Sequence, residues 1–170
     1  IQRRQTEGGG GPEAQSANSS RKESDSRAQP IEISNRSIRL LCRGLLIDAG
    51  IRAEIVAHPI PEFFKNLTET EILTRIWEAR IDPATPASVN AFVGQLPSAE
   101  QQCVSRLLSD ESARITPELA RDCLAALKKQ SIQREISVTK AQMGAPNLPE
   151  NEVTRLTKLL LDLRGLLNEC

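Results

Sequence analysis

The chain has 170 residues, 39% of them apolar, enough for one helical domain or two small ones. Aromatic residues make up only 2% (Phe63, Phe64, Phe92 and Trp77, with no Tyr), which is poor material for a β-sandwich or barrel built on aromatic and β-branched strands. Lys plus Arg and Asp plus Glu balance at 22 each, so no basic excess exists to neutralise a phosphate backbone, and direct binding of nucleic acid is not expected.

Residues 1–30 hold Ile1, Ala14, Ala17 and Ala28 as their only apolar side chains, around a Gly8 to Gly11 run and a polar stretch from Ser16 to Gln29. Such a segment cannot bury enough surface to offset its ordering entropy, and it reads as a disordered linker. The chain opens on Ile1 rather than Met, which reads as a piece of a longer protein.

From Ser34 onward helix signals follow one another. Ser34 is placed to cap a helix carrying Ile38, Leu41, Cys42, Leu45, Leu46 and Ala49 at i, i+3, i+4, i+7 spacing, with Gly50 as its stop. Leu40 and Ile47 lie on the opposite face, the pattern of a helix central in its bundle. A short second helix over 51–57 ends at His58-Pro59, since the residue before Pro is pushed out of the α region. Thr68-x-x-Glu71 has the form of a capping box ahead of Ile72, Leu73, Ile76 and Trp77. Thr85-Pro86 opens a helix bearing Val89, Phe92, Val93 and Leu96, and Ser98-x-x-Gln101 has capping-box form ahead of Val104, Leu107 and Leu108. Five short helices with connections of a few residues thus fill 34–109, as in a compact bundle.

The last third is longer in scale. Thr116-Pro117 opens a helix without Gly or Pro until Gly144, about 27 residues and roughly 40 Å. A second helix runs from near Pro149 to about Asn168, roughly 30 Å, and the short turn between them predicts an antiparallel helical hairpin. At 100° per residue, Leu119, Ala120, Cys123, Leu124, Leu127, Val138 and Ala141 form one stripe on the first of these helices. Ala125, Ile132, Ile136 and Met143 form another, nearly opposite. On the return helix Val153, Leu156, Leu159, Leu160, Leu163, Leu166 and Leu167 share a broad face, leaving Leu161 among polar neighbours. The fold expected is all-α: a linker over 1–30, a helical bundle over 31–112 and a helical hairpin over 113–170. The second stripe has two readings, burial against the five-helix bundle or presentation to another protein as a helix-in-groove contact.

Residues that could carry chemistry are sparse. The four cysteines (Cys42, Cys103, Cys123, Cys170) are widely spaced with no C-x-x-C pair, so no zinc site is expected. Cys42 and Cys123 on apolar faces read as reduced core thiols of a cytoplasmic protein. A Ser-His-Asp or Cys-His arrangement would have to use His58, the single histidine, which stands at a helix end and reads as a turn residue. No Gly-rich phosphate loop precedes a helix. The pairs Glu69/Glu71, Asp110/Glu111 and Glu150/Glu152 stand at helix starts or in loops, where the helix dipole accounts for them. Lys128-Lys129 reads as a solvated face, and the interleaved acids of the hairpin leave no basic stripe. No run of 18 apolar residues exists, so no membrane span is expected. An enzyme built on these residues alone has no constellation to start from.

One family shares the order of these pieces. Ser37-Ile38-Arg39-Leu40-Leu41-Cys42, the turn His58-Pro59-Ile60-Pro61-Glu62-Phe63-Phe64, Glu71-Ile72-Leu73-Thr74-Arg75-Ile76-Trp77, and above all the run from Glu118 to Leu127 with the Leu-rich return helix resemble the C-terminal region of bacterial DnaG-type primases. The resemblance covers about 31–170. It implies a non-catalytic module that docks primase on the hexameric DnaB-type replicative helicase, with the terminal helices nearest the helicase. On that reading the partner-binding residues are Ile132, Ile136, Met143 and Leu161. No cofactor is expected in this segment, because zinc and magnesium belong to the primase core, whose Cys/His pairs and Asp-x-Asp cluster have no counterpart here. Single-strand-binding protein is a further partner of some members. Two alternatives share the helical pattern: the N-terminal collar domain of the helicase, and a helical adaptor unrelated to replication.

Overall fold

The computed structural model describes residues 31–110 and 114–169, so the linker expected over 1–30 lies outside the described residues. Within them the chain is all-helical: seven α-helices and one 3-10 turn, with no strand. The helices are α1 (Arg36–Ile47), α2 (Ala49–Val56), α3 (Glu71–Glu78), α4 (Pro86–Gln95), α5 (Ser98–Ser109), α6 (Pro117–Met143) and α7 (Glu150–Asn168), and the 3-10 turn spans Glu62–Asn66.

α1 is the centre of the bundle, in contact with α2, α3, α5 and α6. Its Ile38, Leu41, Cys42 and Leu45 are fully buried, as their spacing predicts, whereas Leu40 is half-buried and Ile47 is exposed. The second apolar side of α1 is therefore only partly covered. Gly44 stands where Ile115, in the segment leading to α6, crosses α1: an added Cβ would lie 3.2 Å from the Ile115 Cγ2.

The helix boundaries are set by different residues from those the capping signals suggested. Asn35, not Ser34, caps α1: its Oδ1 accepts from the backbone N–H groups of Ser37 (3.0 Å) and Ile38 (3.3 Å), and the Ser34 hydroxyl donates to Glu69 instead. The stop is Asp48 rather than Gly50. Its extended backbone (φ −126°) breaks the helix while its N–H still donates to the Gly44 carbonyl, and its carboxylate accepts from the Ile51 N–H at 2.9 Å to start α2. An Asp side chain that satisfies the next helix's free N–H does the work expected of the glycine. Gly50 is taken up in the first turn of α2.

Neither capping box forms. Before α3, Glu69 adopts φ 67° and Thr70 occupies the cap position, its hydroxyl donating to the Phe64 carbonyl at 3.2 Å. At α5 the cap is Pro97, and the Gln101 amide donates to the Leu96 carbonyl at 2.8 Å. Thr85 precedes Pro86 at the start of α4 as expected, but its hydroxyl donates to Asp82 at 2.6 Å and caps nothing. Thr116 does cap α6, accepting from the Leu119 N–H at 3.2 Å.

Candidate functional site

α6 changes partner along its length. Ala120, Cys123 and Leu127 join the bundle core, and Arg121 pairs with Glu54 of α2 at 2.9 Å. Five residues beyond Leu127 the helix has turned by about 140°, and Ile132 and Ile136 face α7. There they form a small cluster with Leu163, closed by half-buried Leu159, Leu160 and Leu167. The crossover between the two stripes marks the point where one neighbour gives way to the other. Between them, the flank of α6 rests on the 3-10 turn, with the Asn66 amide 3.5 Å from the Glu135 carboxylate. Ser131 and Thr139 of α6 are also buried.

This arrangement corrects the placing of two candidate residues. Ile132 and Ile136, expected at a partner surface, are 6% and 9% exposed. They are covered by α7 rather than by the five-helix bundle, because α7 needs an apolar surface to lie on and this is the one α6 offers it. Met143 is half-buried at the C-terminal end of α6, and Ala125 is exposed. Leu161 is 61% exposed, the most accessible of the large apolar side chains among the described residues.

Three large apolar residues of α6 and α7 run against their expected positions. Val138 is exposed although its stripe continues that of Leu127, because the bundle core does not extend that far along α6. Val153 and Leu166 belong to the broad apolar face of α7 that the spacing predicts, and both are exposed. At 100° per residue they stand roughly 60° and 80° to either side of the line through Leu156, Leu160, Leu163 and Leu167, a divergence that the angles alone reveal. Leu161 points roughly 140° from the same line. Beside it on the outer surface lie Thr157, Lys158, Arg164 and Gly165, all exposed.

Elsewhere the reactive groups are engaged in holding the fold. Arg52 is 7% exposed as a residue, and its guanidinium donates to the carbonyls of Leu45 (3.3 Å), Ile76 (3.1 Å) and Ala79, tying the C-terminal ends of α1 and α3 together. Burial lowers its pKa from the usual arginine value, and the partial negative charge of two helix ends offsets the cost. Glu100 is buried in the first turn of α5, with one oxygen 3.5 Å from Arg75 of α3. Glu69 accepts from the Ser34 hydroxyl and from the Asn35 N–H (3.0 Å), and these two bonds hold its carboxyl below the ordinary range.

Cys42, Cys103 and Cys123 are free and buried, and desolvation pushes all three thiols up, which leaves them protonated and poor nucleophiles. His58 is exposed, and its carbonyl accepts from the Trp77 indole at 3.2 Å. Trp77 in turn meets Phe64 edge to face at 5.7 Å, and Phe63 meets Phe64 at 5.1 Å. The turn 58–64 and the helix 71–78 thus form one aromatic corner.

A cleft of about 600 Å³ lies between that turn and α3. It carries Lys65 and Arg75 against Glu62, Glu71 and Glu78, a mixed lining without a dominant sign. Among the described residues no group of three or more His, Cys, Asp or Glu side chains could hold a metal ion, and no helix is long and apolar enough to cross a membrane. Comparison with known proteins returned no match: no family model, no curated protein and no solved structure matches this chain.

Proposed function

We propose that the chain is a non-catalytic docking module that holds a DnaG-type primase on a hexameric DnaB-type replicative helicase during primer synthesis. The observation that supports it is Leu161, a large apolar side chain left 61% exposed on the outer side of α7, a helix whose inner side is already occupied by α6. On a long helix such a side chain would serve as a single anchor in a helix-in-groove contact with a partner. Ile132 and Ile136 take no direct part in this contact; they position α7. Leu161 supplies the anchor, and Met143 at the end of α6 is a second contact point.

The balanced charge suits the same role, because a module that binds protein leaves the nucleic acid to its parent's catalytic core. Tethering then raises the local concentration of that core at the template without any contact between this module and DNA. Size-exclusion chromatography of the purified chain with purified DnaB-type hexamer tests the reading. Co-elution of chain with hexamer is the expected result, and separate peaks at concentrations well above micromolar contradict it.

A further inference from the structure

We draw no further inference here: the strongest candidate, the cleft between α2 and residues 81–83 that is lined by Ala49, Ala53, Val56 and Ile81 and floored by Arg52, carries nothing because the Arg52 guanidinium is held by three backbone carbonyls and nothing in the structure shows what covers the small-residue face.

Discussion

Arg52 and Glu69 show how single polar residues close a helical bundle that has few aromatic side chains to fill it. Arg52 spans two helix ends and supplies donors to the Leu45 and Ile76 carbonyls, while the Ala79 carbonyl that it also reaches accepts in addition from the Ile81 N–H at 3.1 Å. Arg52→Met keeps most of the packing of the aliphatic stem and removes the donors, so it is expected to cost about 2 kcal/mol, the usual penalty for orphaning buried polar groups. Urea denaturation followed by circular dichroism measures this, and an unchanged midpoint would mean that water replaces the guanidinium without loss. Arg52→Lys is expected to recover only part of the stability, since one ammonium cannot reach three diverging carbonyls.

Glu69 makes a pH-dependent contribution. Its folded pKa lies below the ordinary value of 4.5, with the Ser34 hydroxyl bond as the main cause and the Asn35 N–H bond next. A carboxyl with a depressed folded pKa adds stability above its unfolded pKa and loses it as pH falls through the folded one. The stability difference between the native chain and Glu69→Gln is therefore expected to be constant near neutral pH and to shrink below about pH 4.5. A difference that persists unchanged in acid would show that the geometry of the bond, not its charge, is what stabilises the turn. The left-handed backbone at Glu69 was not legible in the sequence, because nothing in Thr68-Glu69-Thr70 distinguishes a capping box from a turn that the carboxylate of the middle residue ties back to α1.

At the scale of elements, spacing located the helices and misjudged their ends. Apolar periodicity is repeated over several turns and survives local detail, whereas a cap depends on which of several neighbouring polar side chains reaches a free N–H. Ser34 lost that competition to Asn35, whereas α3 and α5 begin after Thr70 and Pro97 with no side-chain cap bond at all, so Thr68 and Ser98 had no rival that reached a free N–H. The long helices were easier to read because Thr116-Pro117 and the 144–149 break stand alone.

The second stripe of α6 was equally legible as a stripe, but its neighbour was not. Periodicity reports that a face is apolar, not which element covers it. The cover is α7, so Ile136→Ala is expected to lower stability by about 2 kcal/mol through the cavity it leaves, a fall in Tm of roughly 4–8 °C for a chain of this size. Thermal melts by circular dichroism check this. An unchanged Tm would place Ile136 outside the seam.

At the scale of the whole molecule, α6 is the element that joins two packing regions. Its first half is buried with α1 in the large core, and its second half carries α7 on a far smaller cluster. The apolar side chains that remain exposed on α7 do not line one face: Val153 and Leu166 diverge to either side of the seam, and Leu161 points away from it. A partner that meets the outer side of α7 reaches Leu161 first, which makes this residue the sharpest point at which docking can be separated from folding. Replacing a side chain 61% exposed on a helix costs the fold little, whereas a buried charge at the centre of a docking contact is strongly unfavourable. Isothermal titration of purified DnaB-type hexamer with the native chain and with Leu161→Asp is the most direct test. The expected result is binding by the native chain and affinity at least about tenfold weaker for Leu161→Asp, equivalent to about 1.4 kcal/mol, with helical content and Tm unchanged. Equal affinities for the two chains, or no binding by the native chain, would contradict docking through the outer side of α7.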